Sequence, residues 1–312
     1  MHHETKQKIW NMFRLCKDFV YNLSYFTDHS PTSDELSYLR NSVLSLPTEV
    51  RAKFARECEF VGRLPLEQLN RILIPYPSCN CIASTDVVVG RYKNHPFVEH
   101  GQIGKLFFPR WMSEDEARTA YLNLVNTENI IGGGDSPHCY QDAAHCLEQE
   151  DIILDIGSAE ALFALDNIDK ASKAYLFESD SVWCKPLRLT FAPYANKVVV
   201  INKIVGDKTT RQSTRLLDAV KNDVSANVRF FVKMDIEGWE RLVIKSNADF
   251  FTSARVKLSC CVYHRQDDAD VIDEMLKGYG YKTRFSPGYM LSMMNGIHYP
   301  YFRHGVIYAQ NY

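Results

Sequence analysis

The second half of the chain alternates short apolar runs with amphipathic segments. Five runs recur about every 20 to 30 residues: "DIILDIG", "KAYLFES", "KVVVIN", "RFFVKMD" and "RVKLSCCVYH". Continuous apolar strands separated by amphipathic helices are typical of a parallel sheet covered on both faces. The late segments "YKTRF" and "RHGVIYA" predict a closing hairpin. We therefore expect an α/β fold with a doubly wound, mostly parallel sheet and a C-terminal antiparallel strand.

The first part of the chain has a helical pattern. Apolar residues recur at helical spacing from Ile9 to Leu23 and from Val50 to Val61. The short pieces "DVVVGRY" and "GKLFFP" then favour strands, and Ser113 before "EDEARTAYLNLV" predicts an N-capped helix. We therefore expect a mainly helical N-terminal region with short strands over residues 1–110 and a second domain over residues 111–312.

Composition and charge exclude several classes of protein. The 312 residues are 46% apolar and carry a formal net charge of -2, which indicates a globular protein without a surface for nucleic acid. The nine cysteines form no CxxC pair, and no stretch resembles a signal peptide or a membrane span. We therefore expect a cytoplasmic protein with no membrane span.

The first apolar run ends in an acid rather than a phosphate-binding glycine loop. In "LDIGSAEALFAL", Asp155 stands at the strand tip and Gly157 in the turn. An aspartate there repels the pyrophosphate of a nicotinamide cofactor but can bind an amino group, as in S-adenosylmethionine. The small residues Ser158, Ala159 and Ala161 leave room for a ligand. The alternative is that Asp155 only caps the next helix.

The second and third runs end in further acids. Glu178 follows Asp155 by 23 positions, close to the spacing of a ribose-binding acid in dinucleotide-binding folds. Asp207, after the third run, is a candidate to flank an adenine ring. The alternatives are that Ser179 and Asp180 cap a helix and that the sequence around Asp207 is simply a turn.

The fourth and fifth runs place Asp235, Glu237 and His264 at the same predicted sheet edge. Titratable groups gathered in a cleft are typical of sites that catalyse group transfer. Glu237 is also explained by a helix dipole, and a single histidine at a strand end is more often structural. The helix dipole, however, does not explain Asp235, which ends a buried strand.

These segments resemble the FkbM family of S-adenosylmethionine-dependent methyltransferases. The motif "KMDIEGWE", from Lys233 to Glu240, is the most specific, and the likeness covers about residues 130 to 309. The resemblance implies a class I Rossmann-like methyltransferase domain within residues 111–312. It implies that Asp155, Gly157 and Glu178 bind the methyl donor and that Asp235 lies beside its sulfonium. We expect the donor site also to include Tyr140, Ser158, Glu160, Ser179 and Asp207. One departure is Ala161, where the family usually has glycine.

The resemblance implies O-methylation of a hydroxyl on a sugar, a glycan or another small metabolite. We expect His264 or Asp235 to remove the proton, with Glu237 orienting one of them, while His138 and Tyr140 cover the methionine end of the donor. In a variant, Asp235, Glu237 and His264 bind a divalent metal that activates the hydroxyl.

Two other functions compete with methyl transfer. One is a nicotinamide oxidoreductase, against which Asp155 argues. The other is a degenerate Rossmann-like domain that binds a partner or glycan without catalysis, which Ala161 favours. The aromatic N-terminal region is expected to be mainly core, and the alternatives are a contribution to the acceptor site or to a homodimer contact.

Overall fold

We describe the protein from a computed structural model, in five segments of the chain. These are residues 32–69, 72–76, 86–128, 135–292 and 301–312. The helix predicted from Ile9 to Leu23 lies outside them. Within these segments, no helix combines the length and the apolar character needed to cross a bilayer. By packing, the chain divides into two compact units, residues 1–71 and 72–312, whereas the sequence led us to expect the division near residue 110.

The described part of the first unit is helical. Its elements are α1 (Ser33–Leu44), α2 (Thr48–Lys53), α3 (Ala55–Arg63) and a 3₁₀ turn (Leu66–Gln68). Thr32 and Glu35 form a reciprocal capping box at the start of α1. Where the sequence pattern predicted one helix over Val50 to Val61, Phe54 leaves helical geometry at φ -117° and ψ 35° and separates α2 from α3.

The second unit contains the strands and the remaining helices. The strands are β1 (Ile72–Leu73), β2 (Val89–Tyr92), β3 (His95–His100), β4 (Gly104–Phe107), β5 (Ile152–Ile156), β6 (Lys173–Phe177), β7 (Val198–Ile201), β8 (Ile204–Val205), β9 (Ser213–Thr214), β10 (Arg229–Met234), β11 (Arg255–Cys261), β12 (Lys282–Phe285), β13 (Met290–Ser292), β14 (Phe302–Arg303) and β15 (Val306–Gln310). The helices are α4 (Glu114–Thr127), α5 (Leu162–Asp166), α6 (Ser181–Thr190), α7 (Leu216–Val220), α8 (Glu240–Ser246), α9 (Ala248–Ser253) and α10 (Asp268–Gly278).

A seven-stranded sheet forms the centre of this unit. Its order is β12-β15-β11-β10-β5-β6-β7, and β15 runs in the direction opposite to the other six strands. Within this sheet, the chain enters at β5 and continues outward to β6 and β7. It then crosses to β10 and β11 on the other side of β5. The predicted mostly parallel sheet with an antiparallel strand is therefore confirmed. The two late segments, β12 and β15, pair antiparallel at its edge, but β13 and β14 lie between them along the chain, so they do not form a simple hairpin.

The central strands are buried on both faces, which explains their continuous apolar sequences. Neighbouring residues enter opposite cores: Phe231 packs with Ile153 and Phe163, whereas Phe230 packs with Ile152 on the other face. Burial on both faces requires covering helices, as the alternation of runs and amphipathic segments predicted.

The strands β2, β3 and β4 form a separate antiparallel sheet. Its side chains Val98 and Leu106 belong to the same core as Ile153 of β5. The predicted N-capped helix is α4, where Ser113 and Glu116 form a capping box. These strands thus pack with the central sheet, which is why the compact unit begins well before residue 110.

Candidate active site

The predicted residues meet where the carboxyl ends of four neighbouring strands lie side by side. In the order β11-β10-β5-β6, the strands lead to His264, Asp235, Gly157 and Glu178, respectively. The direction of winding reverses between β5 and β10. In open α/β sheets, ligands bind in the crevice at such a switch point.

The turn after β5 packs tightly against the turn after β10. Gly157 has φ +76°, and a Cβ at this position would lie 2.1 Å from the backbone oxygen of Asp235. The N–H groups of Gly157 and Ser158 both donate to the carbonyl of Phe177, at 3.0 and 3.1 Å. Only glycine combines this backbone angle with so close an approach.

Ala161 adopts the left-handed conformation, with φ 60° and ψ 43°, and is almost completely buried. This conformation costs a non-glycine residue about 1 to 2 kcal/mol. The geometry explains why glycine is favoured at this position. The first effect of alanine at position 161 is therefore to strain the backbone.

Asp155 and Lys233 form a buried ion pair across β5 and β10. They are register partners, and Lys233 Nζ lies 3.2 Å from Asp155 Oδ1 and donates to the Gly157 carbonyl at 2.8 Å. Burial disfavours the charge on Lys233, but Asp155, Asp235 and Glu128 raise its pKa above the ordinary value. Apart from this ion pair, neither oxygen of Asp155 has a hydrogen-bond partner among the described residues.

Glu178 connects the turns that follow β5 and β6. Its Oε2 accepts a hydrogen bond from the N–H of Ala159 at 2.9 Å, and its Oε1 accepts one from the N–H of Asp180 at 2.7 Å. Asp180 caps α6, as the alternative interpretation of this segment proposed. Ser179 is exposed, and its carbonyl accepts from Asn202 at 3.1 Å.

The turn after β10 has an unusual backbone. Glu237 and Gly238 both have positive φ, at 58° and 91°. The fully buried carboxylate of Glu240 accepts a hydrogen bond from the N–H of Ile236 at 2.9 Å. Positive φ at a non-glycine residue is strained, and such strain concentrates at functional sites. Glu240 therefore stabilises the turn that presents Asp235.

His264 is buried among three carboxylates. Its Nδ1 lies 3.0 Å from Glu240 Oε1, and its Nε2 lies 3.3 Å from Asp235 Oδ1 and 3.4 Å from Glu237 Oε2. Burial opposes a charge on the ring, but Glu240, Asp235 and Glu237 raise the pKa of His264 to about 9. With both nitrogens facing carboxylates, the ring is suited to donate hydrogen bonds as an imidazolium.

The other oxygen of Asp235 faces a second group of side chains. Tyr140 donates to Asp235 Oδ2 at 2.9 Å, and His138 Nε2 lies 3.5 Å from the same oxygen. Burial works against ionisation, but the contact with His138 and the charges of His264 and Lys233 lower the pKa of Asp235 well below its usual range. The carboxylate of Asp235 is therefore shared between two clusters.

Two further acids lie near Lys233. Burial raises the pKa of Glu160, in the turn after β5, to about 7. Burial also raises the pKa of Glu128, at the end of α4, well above its ordinary value, while Lys233 opposes the rise. Glu128 Oε2 has no hydrogen-bond partner among the described residues. The sheet edge around Asp155 is thus rich in carboxyl groups.

Some predicted residues stand apart from this group, and others were missed. Asp207 is exposed between β8 and β9, with no hydrogen bond or ion pair to the other predicted residues, all of which the structure describes. Ser158 is buried, and its hydroxyl faces the Phe177 carbonyl at 3.4 Å. The sequence interpretation assigned no role to Glu128 or Glu240, although Glu240 ends the motif "KMDIEGWE".

Known proteins resemble the region that contains this site. The family model of the methyltransferase FkbM domain matches residues 107–283, more than half of the chain. The chain belongs to the FkbM methyltransferase family. The matched residues thus include strands β5, β6, β10 and β11 and all the site residues described above. No curated protein matches the chain significantly.

Solved structures resemble the FkbM domain more distantly. A methyltransferase FkbM from Methylobacillus flagellatus KT is 19% identical, with a TM-score of 0.39 over 64% of this chain and 55% of that chain. The precorrin-6y C5,15-methyltransferase of Geobacter metallireducens GS-15 is 14% identical, with a TM-score of 0.35 over 53% and 82% of the two chains. An rRNA methylase from Streptococcus thermophilus is 12% identical, with a TM-score of 0.33 over 53% and 89%. The chain thus spans about half the length of the Methylobacillus protein.

Proposed function

We propose that this protein is an S-adenosylmethionine-dependent O-methyltransferase acting on a hydroxyl of a sugar, a glycan or another small metabolite. The observation that carries the proposal is Asp155, a buried carboxylate at the switch point. Its Oδ1 forms an ion pair with Lys233, but its Oδ2 has no hydrogen-bond partner among the described residues. A buried acceptor without a donor is costly unless a ligand supplies one. The amino group of the donor's methionine half is such a ligand.

The residues around Asp155 fit the rest of the donor. Glu178 accepts hydrogen bonds from two backbone N–H groups, and its carboxylate has further lone pairs that can accept hydrogen bonds from a ribose diol. Burial raises the pKa of Glu160 and of Glu128, and a ligand that carries an ammonium and a sulfonium beside them would favour their ionised forms. S-adenosylmethionine, when bound, supplies a methyl group already activated for transfer.

The residues after β10 and β11 fit the acceptor. Asp235 and Glu237 are carboxylates that accept hydrogen bonds from hydroxyl groups and repel a phosphate backbone. The side chain of Glu237 is 47% exposed, so it is accessible to a ligand in solution. A site edge lined by these carboxylates favours a hydroxylated acceptor over nucleic acid.

Asp235 is the proposed base. In the transfer, the acceptor oxygen forms a bond to the methyl carbon and the carbon–sulfur bond breaks to leave a thioether. The oxygen becomes positively charged as the methyl group arrives, so it then loses its proton to the Asp235 carboxylate even though the pKa of Asp235 is low. His264 is enclosed by carboxylates on both sides and is better suited to hold Asp235 and Glu237 in place than to accept a proton. His264 and Glu237 therefore position the base.

A methyl-transfer screen tests this function. The full chain is incubated with donor carrying a labelled methyl group and with isolated glycans or small-metabolite extracts, and products are identified by mass and by the methylated atom. We expect label on oxygen, and Asp235→Asn to lower turnover by about 10² to 10⁴-fold. Asp115→Asn, a change at an exposed carboxylate of α4, is the control and should leave turnover unchanged. Label on nitrogen or carbon, or full turnover in Asp235→Asn, would refute this assignment.

A further inference from the structure

Three parts of the chain place four potential metal-ligand atoms together, one of which is Asp235 Oδ2. His138 Nε2 lies 3.4 Å from Cys261 Sγ and 3.5 Å from Asp235 Oδ2. The hydroxyl of Tyr140 lies 2.9 Å from Asp235 Oδ2, 3.2 Å from His138 Nε2 and 3.8 Å from Cys261 Sγ. The histidine, carboxylate and thiol atoms all lie within 4.8 Å of one another.

Hydrogen bonds alone do not account for this cluster. The Tyr140 hydroxyl, the Cys261 thiol and His138 Nε2 carry at most three protons between them, whereas five contacts of 2.9 to 3.8 Å join these atoms and Asp235 Oδ2. Each proton satisfies one contact only. A cation at the centre would interact with all of these atoms at once.

The separations and the atom types fit a zinc-type ion. Bonds of about 2.0 Å to nitrogen or oxygen and about 2.3 Å to sulfur place tetrahedral ligand atoms roughly 3.3 to 3.7 Å apart. The distances of Cys261 and Asp235 atoms from His138 Nε2 lie in this range. A thiolate ligand selects zinc over magnesium or calcium, which prefer oxygen.

We propose that His138 Nε2, Asp235 Oδ2 and Cys261 Sγ bind one divalent cation of the zinc type, with the Tyr140 hydroxyl beside the fourth position. Binding releases the thiol proton to solvent. This site differs from the predicted set of Asp235, Glu237 and His264. There, the ring of His264 already lies between carboxylates and compensates their charge.

The location gives the ion a role that rests on the proposed function. A hydroxyl that displaces Tyr140 from the fourth position would be polarised by the ion, which would favour transfer of its proton to the Asp235 carboxylate, the base proposed above. Asp235 Oδ1, on the far side of the same carboxylate, remains directed at His264. The metal site itself does not depend on this role.

Two neighbouring cysteines provide a matched test. Cys260 and Cys261 are both completely buried in β11, but Cys261 faces the core that contains Tyr140, whereas Cys260 faces the opposite core. The full chain, as the native protein, Cys261→Ala and Cys260→Ala, is freed of metal and titrated with Co²⁺ and Zn²⁺. We expect a cobalt–thiolate charge-transfer absorption in the native protein and in Cys260→Ala. Cys261→Ala should lose it and bind Zn²⁺ at least about 100-fold more weakly.

The controls separate this proposal from the methyltransferase assignment. If Cys261→Ala fails to fold, Cys261→Ser and His138→Gln, checked by circular dichroism, replace it. Binding without a thiolate absorption, equal binding in both cysteine variants, or no binding by the native protein overturns the site. Donor binding is measured by calorimetry on the same metal-free samples. If the native protein binds the donor but no metal, the proposed function stands and the metal site is refuted. If it binds the metal but not the donor, the metal site stands and the proposed function is refuted.

Discussion

A Cβ on Gly157 would lie 2.1 Å from the backbone oxygen of Asp235. The turn after β5, which carries the proposed donor site, and the turn after β10, which carries the proposed base, therefore touch through main-chain atoms. This contact sets the distance between donor and base. Any side chain at position 157 must push the two turns apart.

Gly157→Ala should destabilise the domain by more than about 3 kcal/mol, because it combines a positive φ with a main-chain clash. Gly280→Ala is the matched control, since Gly280 has φ +87° but nothing within 4 Å of its added Cβ. That variant should lose only about 1 to 2 kcal/mol, the cost of the backbone angle. Urea unfolding measures both. Equal losses in the two variants would show that the contact with Asp235 is unimportant.

Ala161→Gly should relieve backbone strain. The left-handed angle costs alanine about 1 to 2 kcal/mol, and loss of a buried methyl group costs about 0.8 kcal/mol. The free energy of unfolding should therefore stay unchanged or rise by up to about 1 kcal/mol. Ala164→Gly, in the neighbouring helix α5, should instead lose roughly 1 to 2 kcal/mol, because the helix penalty adds to the lost methyl group. If Ala161→Gly were as destabilised as Ala164→Gly, strain at Ala161 would be excluded.

Glu240→Gln should destabilise the protein far more than Glu237→Gln. Both carboxylates contact His264, but Glu240 is fully buried, whereas the side chain of Glu237 is 47% exposed. Removing one charge of a buried pair costs about 3 to 5 kcal/mol, while an exposed pair contributes at most about 1 kcal/mol. Chemical denaturation measures the difference. The interpretation fails if both variants lose the same stability.

We expect the free energy of unfolding to depend on pH through Glu160. Burial raises its pKa from 4.5 to about 7, so the folded state holds this proton more tightly than the unfolded state. The resulting stabilisation is complete below pH 4.5 and is lost as the pH rises through 7. The nearby charges of Lys233, Asp155, Glu178 and Glu128 are common to the native protein and Glu160→Gln.

As the pH rises from 4.5 to 7.5, the native protein should therefore lose about 1 to 3 kcal/mol of unfolding free energy relative to Glu160→Gln. Urea unfolding at several pH values measures it. A difference that stays constant over this range would contradict a raised pKa at Glu160.

The sheet and its rim were predictable because both depend on local sequence. The strands buried on two faces are continuous apolar runs, and polar residues such as Asp155 and Asp235 interrupt these runs near their ends. Parallel strands bring their carboxyl ends to one edge, so the order of the runs along the chain was enough to group these residues.

The rest of the site depends on tertiary contacts that local patterns do not encode. Lys233 lies inside a strand and becomes a buried ion only because Asp155 is its register partner. Glu240 is indistinguishable from any acid in a first helical turn until His264 and the Ile236 N–H converge on it. The predicted helix likewise breaks at Phe54, although no proline or glycine there indicates a break.

The central claim is that Asp155 and its neighbours bind S-adenosylmethionine. Calorimetric titration of the native protein and of Asp155→Asn, with circular dichroism to verify folding, tests it most directly, and NADH serves as the competing ligand. We predict that the native protein binds S-adenosylmethionine but not NADH, and that Asp155→Asn binds the donor about 10 to 100-fold more weakly, as expected for loss of a charge-assisted hydrogen bond. Binding of NADH, or no binding of S-adenosylmethionine by the folded native protein, would contradict the claim.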